Sequence, residues 1–239
     1  VKVRIGSVPY LNAKPLIEGL KEVVYEVPSR LAECLRKGEL DAALVPVLEI
    51  LEWPNYEIVE GVAIGSEQEV KSVFLTYPLQ ENVRIAKDDE SKTSWALAKI
   101  IVENDLQLQV RWLDANQASD SQLMIGDRAL NFRKDHPQIP VLDLAKAWHE
   151  KRQLPFVFAV WAIRSEFSEK QVLAKKLREA KEKGMKQLEK YTTSLDEKIY
   201  LSQNISYELG SQEKKAILRF QEELLSLGLI KERFPLHWL

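Results

Sequence analysis

The sequence predicts an α/β protein of two lobes with a cleft between them. Three observations lead there. From Val1 to Val47, short β-branched runs alternate with short amphipathic helices, the order of a parallel sheet with helical crossovers. A second such set, roughly Leu79 to Phe158, is entered by "SVFLTYP" and left by "FVFAVWAI", so two strands are expected to pass between lobes as hinges. After Ser165 the texture turns Lys/Glu-rich, with Leu at helical intervals. The expected partition is a discontinuous first lobe, residues 1–78 plus 159–239, and a second lobe, residues 79–158. Ser72–Tyr77 and Phe158–Ile163 are expected as adjacent crossing strands.

Each element has a local reason. "VKVRIGSV" reads as a buried strand. "NAKPLIEGLKE" reads as a short helix, with Asn12 as N-cap and Pro15 in the first turn, where its missing N–H costs little. "EVVYEVP" is a second strand. Ser29 is placed to cap "RLAECLRK", in which Leu31, Cys34 and Leu35 recur at helical spacing, and Gly38 ends it. "LDAALVPV" is the third strand. "GVAIGSE", "VKSVFLTYP" and "NVRIAK" read as further strands, and "SKTSWALAKIIVEN" as a helix with Trp95, Leu97, Ile100 and Ile101 inward. "LQVRWL" alternates. "DSQLMIGDRALNF" is a strand ending at a Gly-Asp turn, "VLDLAKAWHEKR" a helix, and "PFVFAVWAIRS" an apolar strand. Three helices and no strand are expected from Glu166 to Leu229, with breaks near Tyr191–Ser194 and Gly210.

Composition removes several functional classes. The 239 residues, 45% of them apolar, suffice for two lobes with their own cores. A net charge of −2 supplies no basic field for nucleic acid or an anionic membrane. No apolar run approaches the roughly 20 residues of a membrane span, and no signal peptide is visible. The single cysteine, Cys34, excludes an internal disulfide and a cysteine metal cage. His136, His149 and His237 lie far apart, and "WHEKRQ" lacks the second histidine of a zinc-protease helix. There is no GxGxxG, no phosphate loop and no Ser-His-Asp order. Chemistry in the cleft is therefore expected to use hydroxyls, amides, backbone N–H groups and at most one Asp. That suits a small polyanion, or a reaction that needs little beyond orientation.

Ligands of open α/β sheets lie beyond the carboxyl ends of the strands. Five stretches reach that edge: Ser7–Asn12, Val45–Pro46, Ser72–Tyr77, Ser91–Ser94 and Gly126–Arg128. "SKTS" opens a helix, so free N–H groups and the positive dipole end face the cleft, and Lys92 adds a charge. The stretch Ser91–Ser94 serves equally as an ordinary N-cap or as a ligand site, and the two roles are compatible. Gly126 permits close backbone approach. Asp127 has two roles open to it, general base or cap of the next turn. "SVPYLN" supplies Ser7, Tyr10 and Asn12, whose amide carries both donor and acceptor. Ser72 lies on the first hinge strand. Trp148, Phe156, Phe158 and Trp161 read as core, with room for one or two in the cleft wall.

"SVPYLNAKPL", "GELDAALVPVLE", "DDESKTSWAL", "LMIGDRAL" and "DLAKAWHEKRQLPFVFAVWAIR" together resemble the menaquinone-biosynthesis family of the futalosine route, in its chorismate-dehydrating branch. The motifs span Val3 to Arg164. The sister branch, which acts on cyclic dehypoxanthine futalosine, carries a "SPCPNDT"-like first turn instead. The resemblance implies a type II periplasmic-binding-protein-like fold working as a cytoplasmic enzyme, a lyase. It implies chorismate as substrate, loss of water, and neither metal nor organic cofactor. Thr93, Ser94 and the helix N-terminus are then assigned to one substrate carboxylate. Asn12, with Tyr10, is assigned to the other carboxylate or the leaving hydroxyl, and Ser72 with Gly126–Asp127 to the rest of the polar wall. The proton acceptor is either Asp127 or a substrate carboxylate. Lys92 departs from the Arg usual in that slot and lacks its bidentate fork. Beside this stands a solute-binding receptor or sensor of the same fold.

Overall fold

The computed structural model describes residues 3–239. The expected first strand begins at Val1, outside the described residues, and pairs at β1 (Ile5–Ser7). A 3₁₀ segment (Leu11–Ile17), β2 (Val23–Tyr25), α1 (Pro28–Arg36), β3 (Ala42–Pro46), α2 (Val47–Glu52) and β4 (Tyr56–Ser66) come next in the chain. After them stand β5 (Val73–Thr76), β6 (Arg84–Ala86), α3 (Lys92–Lys99) with a π-helical turn, β7 (Arg111–Leu113), β8 (Ser121–Ile125), α4 (Gly126–Asp135), β9 (Val141–Asp143) and α5 (Leu144–Arg152). The chain ends with β10 (Phe156–Arg164), α6 (Lys170–Met185), α7 (Leu195–Ile199) running into a π-helical turn (Tyr200–Asn204), α8 (Ser211–Ser226) and β11 (His237–Trp238).

Two sheets form, in the orders β11-β4-β10-β3-β1-β2 and β7-β6-β8-β5-β9. In each, three parallel strands are joined by crossovers, and one antiparallel strand is inserted beside the third. In the first sheet the insertion is β10, between β3 and β4; in the second it is β5, between β8 and β9. Each inserted strand is the first after a crossing between the sheets. This corrects the expected hinge. Ser72–Tyr77 does not lie beside Phe158–Ile163: β5 belongs wholly to the second sheet and β10 wholly to the first. The crossings are the short links 67–72 and 153–155, so cuts at 78/79 and 158/159 would strip β5 from its sheet and divide β10.

Local chemistry fixes both links. Asp143 N-caps α5 by accepting from the Ala145 and Lys146 N–H groups, each at 3.1 Å. The same carboxylate accepts from Val70 N at 3.2 Å and Lys71 N at 2.7 Å, which pins the first link. Burial pushes its carboxyl pKa up, against the N–H groups of Lys146, Lys71 and Val70. "VLD" is accordingly the strand β9, not the start of a helix, because the helix begins only after its cap, Asp143. At the second link Gln153 takes the left-handed C-cap conformation of α5. Arg152 beside it is buried over Trp148 and bonds Asp105 at 2.6 Å and Glu223 of α8, which ties the second sheet's helices to the C-terminal layer.

Two expected caps are not made. Pro28 opens α1 after the extended Val27, since its fixed φ suits the first helical position, and Ser29 falls inside. Asn12 is likewise inside the 3₁₀ segment, which starts after Tyr10. The C-terminal helices pack on the first sheet, with α6 against the 3₁₀ segment, and Trp148, Phe156 and Phe220 meet edge to face with centroids 5.1–6.0 Å apart. β11, beyond the expected helices, pairs parallel with β4.

Candidate active site

A cleft lies between the sheets at the carboxyl ends of β1, β3 and β8. Its polar lining comes from Tyr10, Asn12, Ser72, Ser91, Ser94 and the Gly126 backbone; Leu44, Pro46, Ile64, Ile125 and Phe158 supply apolar walls. Among the described residues lining it, none is Asp, Glu, Lys, Arg or His.

Two helices aim their N-termini at this space. α3 starts after the extended Ser91, whose Oγ accepts from Ser94 N at 3.2 Å and lies 3.0 Å from Ser94 Oγ. α4 starts directly from β8 with no side-chain cap, and Gly126 has φ +60. The Gly126 N–H donates to the Ser72 carbonyl at 2.9 Å. A Cβ there would sit 3.5 Å from the Tyr10 ring, ordinary contact, so the backbone conformation rather than space requires glycine. Helix N-termini stabilise anions through unpaired N–H groups and the macrodipole. The cleft thus presents two helix N-termini and, among the described residues lining it, no cation.

Side-chain contacts join the two lobes around the cleft. Asp127 on α4 accepts from Leu11 N through both carboxylate oxygens, at 3.1 and 3.3 Å, and so caps the 3₁₀ segment of the opposite lobe. Thr93 Oγ1 on α3 accepts from Leu48 N of α2 at 3.0 Å. The Tyr10 hydroxyl donates to Glu90, and burial, reinforced by that carboxylate, pushes its pKa far up, so it remains protonated. Behind the lining, Asn12 Nδ2 donates to Tyr200 Oη at 3.1 Å, and Tyr200 Oη donates to Ser72 Oγ at 2.9 Å.

The expected site residues therefore divide. Tyr10, Asn12, Ser72, Ser94 and Gly126 meet in the cleft, with Ser91. Four do not line it. Ser7 is buried in β1 and only its neighbour Val8 reaches the lining. Thr93 is fully buried and occupied with Leu48. Lys92 is exposed and faces an outer groove with Arg36, Trp53 and Glu232, because one residue of helix turns it about 100° from Ser91. Asp127 lines a neighbouring cavity with Lys14 and Tyr200, and its carboxylate is engaged as a cap. Burial pushes the Asp127 pKa up, against the Leu11 N–H. Sequence reasoning missed Tyr200, which no motif marks: its partners are 188 and 128 residues away.

Among the described residues, no group of three or more His, Cys, Asp or Glu is placed to hold a metal ion, and no helix is long and apolar enough to cross a membrane.

The model of a family described as menaquinone biosynthesis matches residues 3–224. A curated chorismate dehydratase from Campylobacter jejuni is 30% identical over 229 residues, 92% of this chain and 92% of the relative. One from Thermus thermophilus is 30% identical over 212 residues, 77% of this chain and 78% of the relative. The periplasmic aliphatic sulphonate binding protein of Escherichia coli superposes with a TM-score of 0.62 at 13% identity, covering 97% of this chain and 94% of that one. That likeness establishes the periplasmic-binding-protein-like fold.

Proposed function

The chain belongs to the menaquinone biosynthesis family, and from that membership we propose that it dehydrates chorismate to 3-[(1-carboxyvinyl)oxy]benzoate, as a carbon–oxygen lyase. One observation carries the reading: all five stretches singled out in the sequence place a residue in one cleft, through Tyr10 and Asn12, Pro46, Ser72, Ser91 and Ser94, and Gly126. The lobes that form it are residues 3–66 with 156–239, and residues 73–152.

The lining suits the substrate. Chorismate is a dianion whose one hydrogen-bond donor is its ring hydroxyl. The N-termini of α3 and α4, with Ser91 and Ser94, offer donors for carboxylates. Asn12, Tyr10 and Ser72 face the ring hydroxyl and the second carboxylate. Dehydration removes the ring C–H beside the enolpyruvyl ether and the hydroxyl on the next carbon; the new double bond completes an aromatic ring. Aromatisation supplies the driving force, so the protein's task is to hold one conformer and exclude competing rearrangements. Closed lobes keep water out and strengthen each hydrogen bond.

The proton acceptor is assigned to the substrate. With no carboxylate in the lining and Asp127 occupied by Leu11, the enolpyruvyl carboxylate is the nearest base. It stands one ether oxygen from the reacting carbon and reaches the C–H through a six-membered arrangement. Asp127 then acts as a cap that holds the Asn12 segment from across the cleft.

Asp127→Asn and the pH profile separate the two bases. Asn keeps an oxygen for the Leu11 N–H, so the cap survives. The variant is expected to retain kcat/KM within about tenfold of wild type, since a general base contributes about 10²–10⁴-fold. An Asp127 base must be ionised, and its pKa is raised, so activity would fall as pH drops through that raised value. With a substrate base, kcat/KM stays level from about pH 6 to 9, because substrate carboxylates titrate in the ordinary range near 4. An acid limb above that range, abolished together with activity in Asp127→Asn, would overturn the assignment.

A further inference from the structure

Tyr200 does not line the cleft, yet it holds two residues that do. It opens the π-helical turn Tyr200–Asn204 in the C-terminal layer, and its side chain is buried. A phenol has one proton to give and two lone pairs. That proton goes to Ser72 Oγ at 2.9 Å, so towards Asn12 the phenol can only accept, and it does so from Nδ2 at 3.1 Å. The arrangement has two consequences. Asn12 Oδ1 is left buried without a protein partner. Ser72, already an acceptor, keeps its own proton for the cleft it lines. A buried acceptor without a partner is costly unless a ligand satisfies it.

We propose that Tyr200 is a positioning residue that sets the polarity of the cleft wall: through its single proton it makes Asn12 present a carbonyl oxygen, and Ser72 a hydroxyl proton, to the substrate. This rests on the chorismate reading, which explains the polarity. The substrate's one donor, its ring hydroxyl, meets Asn12 Oδ1, and a substrate oxygen meets Ser72. Without the phenol the Asn12 amide is free to flip and offer its NH₂ to the wrong group. The tyrosine touches no reacting atom, so its effect is on alignment and falls on turnover more than on binding, which the helix N-termini dominate.

The test is a double-mutant cycle on the full chain, with Tyr200→Phe, Asn12→Ala and the pair, each read for kcat, KM and thermal melting. Tyr200→Phe keeps the buried ring. It is expected to lower kcat by on the order of tenfold or more, with KM changed less than about threefold, and the double variant should be no slower than Asn12→Ala alone. A purely structural tyrosine would shift melting, leave the kcat of the folded protein unchanged, and multiply with Asn12→Ala; either result overturns the inference. If Tyr200→Phe does not fold, Ser72→Ala takes its place, since it releases the phenol proton to turn on Asn12; the same non-multiplicative pattern supports the inference and a multiplicative one overturns it. Wild-type protein that leaves chorismate untouched overturns the substrate reading and this inference with it. Wild-type turnover with multiplicative variants overturns this inference alone.

Discussion

Asn12→Asp lowers kcat/KM for chorismate dehydration by on the order of 10³-fold and leaves the protein folded. The side chain keeps its volume, and a carboxylate oxygen can accept the Tyr200 phenol proton, so the buried contact is replaced rather than lost. Charge is added, and the phenol proton turns from Ser72 to the new carboxylate. The lining holds no cation among the described residues, and the carboxylate must face a dianion there. Like charges brought together in a desolvated site cost several kcal/mol, and each 1.4 kcal/mol is about tenfold. Asn12→Ala removes the hydrogen bonds without adding charge and is expected to cost about 100-fold, the range for one positioned group. The order of the two variants is the informative result. Because Asn12 lies inside the 3₁₀ segment and caps nothing, no helix-capping term enters. Steady-state product formation, with melting curves for both variants, decides it. An Asp variant as active as wild type would remove Asn12 from the site and make the turn structural.

The legible part of this molecule is the part that local chemistry writes. The alternation of β-branched runs and amphipathic helices marked both α/β sets. The hydroxyl-rich stretch Ser91–Ser94 marked a helix start, and of its members Ser91 is the one that makes the cap. Gly126 was legible only as a break at the strand's end: where "DSQLMIGDRALNF" reads as a strand closing on a turn, the chain takes a positive φ at Gly126 and begins α4. The same local rules extend to two further positions. Lys92 comes one residue after the cap and points away from Ser94's face, and Asp143 before a helical run is an N-cap, which ends the strand "VLD" there. The rest depends on contacts that no window contains. Asp127 caps a backbone N–H 116 residues away in the other lobe, and Thr93 one 45 residues away. Insertion of β5 and β10 as antiparallel strands is a property of the crossing, not of either strand's composition. Tyr200 serves the cleft from a region whose sequence reads only as solvated helix.

Gly184→Ala destabilises the fold by about 3 kcal/mol and weakens catalysis in the molecules that remain folded. Gly184 is buried near the end of α6, where a glycine costs helix propensity of about 1 kcal/mol relative to Ala. On propensity alone the substitution should stabilise. Packing reverses the sign. An added Cβ would lie 1.9 Å from the Pro15 carbonyl oxygen and 2.6 Å from its carbon. Those are backbone atoms, with no rotamer to turn away, so helix and 3₁₀ segment must separate. Overpacking costs about 1–3 kcal/mol, and a backbone obstacle belongs at the upper end. For a chain of this size that corresponds to a melting shift of roughly 6–12 °C. The displaced segment is Leu11–Ile17, which carries Asn12 and is capped by Asp127. Moving it misaligns the Asn12–Tyr200–Ser72 link, and a displacement of about 1 Å at a positioned group can cost about 100-fold in rate. Melting and kinetics well below the transition separate the two effects. A simple loss of stability would lower the melting point and leave kcat per folded molecule untouched. A lower kcat at temperatures where the variant is fully folded would show that α6 sets the position of the turn that carries Asn12.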